Sequence, residues 1–242
     1  TQLPPKIREW VEVAPNFEND DDYLFERYLM CIDLARENYR KYLCVGEKDD
    51  NDYLQNALGN IEKARNMLGQ IKRFDEELSR YIKNVIDQKG ACIVFCVHHA
   101  VSDKLSAQLN RLNISNTIVD GRTKQLDRKA AEESFQNGEI SVFIGGIRSA
   151  GESITLTRSD ICIFVESDWV PAAMMQAEDR GHRIGQTSNG YHIIHWVVNP
   201  NTGITLDRHI TDLLKNKIEL IDDILEEKTD FKFDKSKKQT SL

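Results

Sequence analysis

No apolar run in this sequence reaches the ~20 residues that a helix needs to cross a bilayer, and none has the form of a signal peptide. No membrane association is therefore expected. Methionine is missing from the first position, where Thr1 stands, so a fragment or a processed chain is expected. Zinc-ligand spacing is missing as well. The five cysteines, Cys31, Cys44, Cys92, Cys96 and Cys162, are odd in number and fit no metal template. Cys92 and Cys96 sit inside "ACIVFCV", where they read as small buried hydrophobes of a reducing compartment, so no metal site is expected. Also absent is G-x-x-x-x-G-K-[ST], the glycine cradle with a lysine and a hydroxyl that grips phosphates and magnesium. "FDEELSR" offers an acidic pair but no substitute, because Leu78 places it on an amphipathic helix with those acids on the solvated face.

What is present is an ordinary globular balance: 242 residues, 40% hydrophobic and 29% charged, enough for one large domain or one domain with an appendage. The net charge of −7 argues at first against a polyanionic partner. Its distribution removes that objection. Residues 1–62 hold 7 basic and 14 acidic side chains, and the remainder holds 25 of each. The acidity belongs to the N-terminal segment.

"LPPKIREWVEV" starts with a Pro-Pro pair and then alternates, as an extended linker or an edge strand does. "NFENDDDY" is turn-like and caps a helix expected from about Asp22 to Leu43. After the acidic break "VGEKDDND", Ile61, Ala64, Met67, Leu68, Ile71, Phe74, Leu78, Ile82 and Val85 form one apolar stripe, read as a single long helix ending at Gly90. From there strands and helices alternate. "ACIVFCV", "NTIVD", "ISVFIGG", "DICIFVE" and "YHIIHWVV" read as strands. Ser102–Leu112, "LDRKAAEESFQNG" and "PAAMMQAEDRGHR" read as helices, the last begun by Pro171. Such alternation implies right-handed crossovers and a parallel sheet, hence an α/β fold. "GITLDRHITDLLKNKIELIDDIL" is a closing amphipathic helix, and residues 229–242 read as a disordered polar tail.

Ligands of such sheets bind beyond the carboxyl ends of the strands. The loops there are "HHA", "DGRT", "GGIRSAGES" and "SDWVP", rich in groups that suit phosphate. "QAEDRGHRIGQ", Gln176 to Gln186, adds Arg180 and Arg183, three residues apart. On one helix face with Gln176, their two guanidinium forks suit a terminal phosphoryl group. The plainer alternative is a pair of surface arginines bonded to Glu178 or Asp179.

"QAEDRGHRIGQ" closely resembles motif VI of the Swi/Snf class of superfamily-two helicase-like ATPases. Other segments resemble that family in its order: "LPPKIREWVEV" its linker into the second lobe, "CIVFCVHH" motif IV, "VDGRT" motif IVa, "IRSAGESITLTRSD" motif V, and "ESDWVP" the segment before motif VI. Within the class, "QAEDRGHRIGQTSNGYHIIHWVV" and the closing helix look most like the annealing-helicase (HARP-like) branch. The resemblance covers roughly residues 1–228 and is strongest from Cys92 to Val198.

The resemblance implies a three-layer RecA-like lobe with a central, mainly parallel sheet, an N-terminal helical protrusion and a C-terminal helix. It divides the chain into a linker strand from a first lobe (1–15), an acidic protrusion (16–62), a helicase C-terminal domain (63–228) and the tail. Arg183 would be the arginine finger and Arg180 its supporting arginine. Gln176, Asp179 and Gly151 would serve ATP. His98, His99, Gly121, Thr123, Arg148, Ser149 and Trp169 would line DNA, Trp169 either stacking there or simply packing. His182 would be structural or coupled to DNA. The implied cofactors are ATP and Mg2+, held mainly by a first RecA-like lobe of the same polypeptide. The implied partner is double-stranded or forked DNA, inside a cell, nucleus included. Motif V departs from the pattern at Glu152 and Ser153, where a hydrophobic residue and a glycine are common, which puts its nucleotide contacts in question.

The leading expectation is thus the second lobe of an ATP-dependent DNA translocase, inactive as an isolated chain. A degenerate lobe that binds DNA or a partner without hydrolysis is the alternative, favoured by Glu152 and the missing phosphate loop. A nicotinamide-type fold is disfavoured, since "GGIRSAG" has the wrong glycine spacing.

Overall fold

The computed structural model describes residues 3–13, 21–45, 51–72, 77–148, 154–198 and 205–226, with the backbone alone for 21, 22, 45, 51 and 218–226. At its centre lies β2 (Cys92–Cys96), buried along its whole length. Cys92, Val94 and Cys96 pack into one apolar cluster, Ile93 and Phe95 into another on the opposite face. A strand covered on both faces has no polar alternation to show, which is why "ACIVFCV" is nearly continuous.

The other strands are β1 (Lys6–Val13), β3 (Asn116–Val119), β4 (Val142–Gly146), β5 (Ile161–Phe164) and β6 (Tyr191–Val198). The sheet order is β1-β6-β5-β2-β4-β3, and every pairing is parallel. "LPPKIREWVEV" supplies the edge strand, in register with β6 from Lys6 opposite Tyr191 to Val13 opposite Val198. Helices α1 (Asp21–Val45), α2 (Asn51–Ile71), α3 (Ser79–Lys89) and α4 (His99–Arg111) send Cys31, Leu68, Ile82 and Leu105 into the first cluster. Helices α5 (Gln125–Gln136), α6 (Pro171–Glu178) and α7 (Leu206–Glu226) send Phe135, Met174 and Leu214 into the second. The result is the expected three-layer α/β lobe.

Three local expectations need correcting. The single long helix is two helices, α2 and α3. Its stripe is real, since Ala64, Leu68, Ile71, Leu78 and Ile82 are all fully or almost fully buried. Periodicity reports which side is buried and is blind to whether the helix axis continues. At the end of α2, Lys72 turns inward, donating to the carbonyls of Val165 and Trp196 and pairing with Asp207 at 2.9 Å. Second, the helix expected through Arg183 ends at Glu178. Gly181 therefore lies in the turn beyond the helix. Third, the helix expected from Ser102 starts earlier, at His99.

Helix α2 runs unbroken past residue 62, so the expected limit of the protrusion falls within a helix. Thr205 caps α7: its hydroxyl accepts from Arg208 N at 3.2 Å and donates to the Val198 carbonyl at 2.6 Å. Residues 227–242 lie outside the described residues. No helix among the described residues is long and apolar enough to cross a membrane.

Candidate functional site

Parallel strands bring their carboxyl ends to one edge, and the loops singled out in the sequence meet there. His99, Gly121 and Arg148 line a cleft of about 300 Å3, together with Val97, Asp120, Gly146 and Ile147. These three candidate DNA positions therefore share one surface. Its floor is built by Asp120, which is buried and accepts from the Arg122 backbone N–H at 2.9 Å. Thr123 Oγ1 closes the same turn, accepting from Asp120 N at 3.0 Å and facing the Ile118 carbonyl at 3.4 Å. Burial alone would raise the Asp120 carboxyl. The bonds and charge of Arg122, helped by His99, hold it below its ordinary range.

Arg148 enters the cleft with its side chain 66% exposed, and Asp168, fully buried, grips the guanidinium at 2.6 and 3.1 Å. This pins the head while leaving its outer edge to solvent. Ser149, Gly151, Glu152 and Ser153 lie outside the described residues.

His98 is placed differently from its expected role. Nδ1 lies 2.6 Å from Glu166 Oε1 and Nε2 lies 3.1 Å from Glu62 Oε1, so both ring nitrogens are already taken by carboxylates. Burial would lower its pKa, but the hydrogen bond and charge of Glu166, joined by Glu62, raise it instead. Glu166 also accepts from the Val97 and His98 backbone N–H groups at 2.9 Å. Glu62 takes Arg65 at 2.8 Å, and Arg65 donates to the Ser167 carbonyl at 2.7 Å. The Arg65 guanidinium lies 5.0 Å over the Trp169 ring, which also packs against the second core cluster. Trp169 thus packs between Arg65 and the second cluster. Helix α2 is thus wired by Glu62 and Arg65 into the loops after β2 and β5. Three-residue spacing on one helix was the only trace of this pair in the sequence.

The arginine turn follows α6. Arg180 N donates to the Ala177 carbonyl at 3.3 Å, Gly181 N and His182 N to the Glu178 carbonyl at 3.2 and 3.1 Å, and Arg183 N to the Gly181 carbonyl at 3.1 Å. Gln186 closes the loop, donating to the Ser159 carbonyl at 2.8 Å. Gly181 is needed for close approach: a Cβ there would lie 2.3 Å from Tyr191 Oη and 2.7 Å from its ring. Gln176 stays exposed on α6 while Arg180 is buried beyond the helix end, so the expected shared helix face does not form.

For Arg183 the plainer alternative, a bond to the Glu178 or Asp179 carboxylate, is not what is seen. Lys6 takes both carboxylates, at 2.9 Å to Glu178 and 2.7 Å to Asp179, and Arg8 adds 2.8 Å to Glu178. Arg183 instead donates to the Asp179 carbonyl at 3.1 Å and to Thr155 Oγ1 at 3.2 Å. Among the described residues it bonds no carboxylate. Arg180 has its pKa lowered to about 10, first by burial and then by the charges of Arg183 and Arg128. Positive charge is therefore concentrated at this turn and still protonated at neutral pH. His182 Nε2 donates to the Pro4 carbonyl, 2.6 Å away, and so ties the turn to the residues that lead into β1. Lys6 and Arg8 were missed in the sequence, because 170 residues and more separate them from their partners.

A parallel six-stranded sheet with helices on both faces is the architecture of a RecA-like α/β lobe. Residues 73–185 match the helicase conserved C-terminal domain. Over 142 residues the chain is 32% identical to the SWI/SNF-related matrix-associated actin-dependent regulator of chromatin subfamily A-like protein 1 of Drosophila melanogaster, covering 58% of this chain and 18% of that protein. It is 33% identical over 186 residues to Helicase SWR1 of Candida glabrata, covering 76% of this chain and 11% of that one. In fold it resembles the SWI2/SNF2 ATPase core of Sulfolobus solfataricus solved in complex with dsDNA, with a TM-score of 0.66, 20% identity, and coverage of 92% of this chain and 46% of that one. The chain carries the helicase conserved C-terminal domain, and these matches support a C-terminal lobe of the Swi/Snf-type superfamily-two helicases. It spans under a fifth of the length of these two curated relatives.

Proposed function

We propose that this chain is the second lobe of an ATP-dependent double-stranded-DNA translocase, with Arg183 as its arginine finger. One observation carries the reading. Arg183 and the buried Arg180 sit side by side, while the nearby acids Glu178 and Asp179 are neutralised by Lys6 and Arg8. Such a turn attracts a dense anion, and a transferring phosphoryl group is one.

The residues present suit one end of the nucleotide only. The arginine turn fits a terminal phosphate, with Asp179 and Gln176 beside it, and no phosphate-cradling glycine loop with lysine exists in the sequence. ATP with Mg2+, bound mainly by a first lobe, supplies the phosphoryl group; this chain neutralises the charge that develops on it. The isolated chain accordingly hydrolyses ATP negligibly.

The cleft of His99, Gly121 and Arg148 serves the DNA backbone. Arg148 offers its exposed edge to a phosphate while Asp168 fixes its orientation. Contacts of this kind carry no base preference. His98, Thr123 and Trp169 act from behind this surface, holding its loops. Relatives named as chromatin regulators support an intracellular, DNA-directed role.

The test is Arg183→Ala in the full-length protein. DNA-stimulated hydrolysis falls by about 10³-fold or more, the usual worth of such an arginine. Affinity for duplex DNA stays within about threefold, because phosphate contacts elsewhere carry it. Normal turnover in that variant refutes the finger and favours a non-hydrolysing binding module.

A further inference from the structure

We infer that the edge strand β1 positions the arginine turn through an ionic clamp, in which Lys6 and Arg8 hold Glu178 and Asp179 away from Arg183. The inference rests on the reading of Arg183 given above. Lys6, Arg8 and Glu178 are positioning residues, since they act on phosphate only through the turn.

The clamp is built at short range. Glu178 is wholly buried, and Arg8 grips its two oxygens at 3.2 and 2.8 Å. Lys6 Nζ bridges Glu178 Oε2 at 2.9 Å and Asp179 Oδ1 at 2.7 Å. The backbone completes the attachment: the Pro4 carbonyl meets His182 Nε2 at 2.6 Å, and the Pro5 carbonyl accepts from Tyr191 N at 2.9 Å. Tyr191 in turn is the ring against which Gly181 is pressed. Pro4, Pro5, Lys6 and Arg8 therefore touch the turn at its start, its middle and its far wall.

Charge gives the clamp a second consequence. Two cations from β1 meet two anions at the end of α6, so the clamp is neutral and Arg183 keeps its charge for an anion. Without Lys6 the balance changes. The Asp179 carboxylate, 56% exposed, is then left beside the guanidinium that already bonds the Asp179 carbonyl. An Asp179–Arg183 pair becomes the nearest available ion pair, and it draws the finger off its target. Glu178, still held by Arg8, does not compete. Any shift of β1 along its edge of the sheet reaches Arg183 by the same route.

The experiment measures DNA-stimulated ATP hydrolysis by the full-length protein at saturating duplex DNA, well below each variant's melting midpoint. Lys6→Gln is expected to lower kcat about tenfold, as a small misplacement of a catalytic group does, with KM for ATP and DNA affinity within about twofold. Lys6→Arg, which can still bridge both acids, keeps most of the rate. In an Asp179→Asn background, which removes the freed competitor, the further loss from Lys6→Gln shrinks to less than about twofold. Equal losses in both backgrounds, or a Lys6→Arg enzyme as slow as Lys6→Gln, overturn the clamp and leave β1 a mere edge strand. Arg183→Ala is measured alongside. A fully active Arg183→Ala enzyme removes the underlying reading; an inactive one next to an unimpaired Lys6→Gln enzyme removes the clamp alone.

Discussion

Lys72→Met is the substitution whose cost follows most directly from the structure. The Lys72 side chain is 1% exposed and pairs with Asp207 at 2.9 Å; it also donates to the carbonyls of Trp196 at 2.8 Å and of Val165. It thereby joins the end of α2, the ends of β5 and β6, and the start of α7. Methionine has similar length and no charge, so it fills the space and removes all three interactions. Taking one partner from a buried pair costs roughly 3–5 kcal/mol, because the other charge is left buried. Here the low end applies. Asp207 still accepts from Val198 N at 2.8 Å and lies in the first turn of α7, where the helix dipole favours an anion. A loss of about 3 kcal/mol lowers the melting midpoint of a domain this size by about 6–12 °C. Lys72→Met/Asp207→Asn removes the orphaned charge and keeps an acceptor for Val198, so about half the loss should return. The assay is thermal and urea unfolding of the chain by circular dichroism, at low and high salt. Little salt dependence is expected of so buried a pair. A loss under about 1 kcal/mol, or a double variant no better than the single one, refutes the reasoning.

Gly181→Ala pushes a methyl group into the Tyr191 ring, and overpacking of this kind costs about 1–3 kcal/mol. Because the same turn carries Arg183, hydrolysis by the full-length protein should fall with it; unchanged stability and rate would remove the close-approach reading. His98 titrates above its ordinary range in the folded chain, held by Glu166 and Glu62. Its contribution to stability is then complete below the unfolded histidine pKa and is lost as pH rises through the folded one. Urea midpoints should decline as pH rises above the ordinary histidine pKa of about 6.5 in the natural chain, and that decline should flatten in His98→Gln. Equal slopes in the two proteins would show that the ring is not so held.

The sequence by itself determined the parallel α/β order, because strands buried on both faces must be apolar throughout and crossover helices must carry one apolar stripe. It marked the carboxyl-edge loops, and its motif order pointed to the family. It also identified Arg180 and Arg183 as a pair, since two guanidinium forks three residues apart are a local fact.

Tertiary structure alone decided what those residues touch. Lys6 and Glu178 lie 172 positions apart, and nothing in either neighbourhood announces the other. The same holds for Glu62 with His98 and for Lys72 with Asp207. Periodicity measures burial along one axis, so it ran α2 and α3 together and carried α6 through a turn that the Gly181–Tyr191 contact and the chain's own carbonyls define. His98 shows the limit most plainly. A histidine at the carboxyl edge looks like a phosphate ligand until two distant carboxylates are found on its two nitrogens. Charge in a sequence is a local quantity, whereas its compensation is settled by packing. That is why the arginine turn could be located in the chain, and why the separation of Arg183 from the Glu178 and Asp179 carboxylates became visible only once β1 lay along β6.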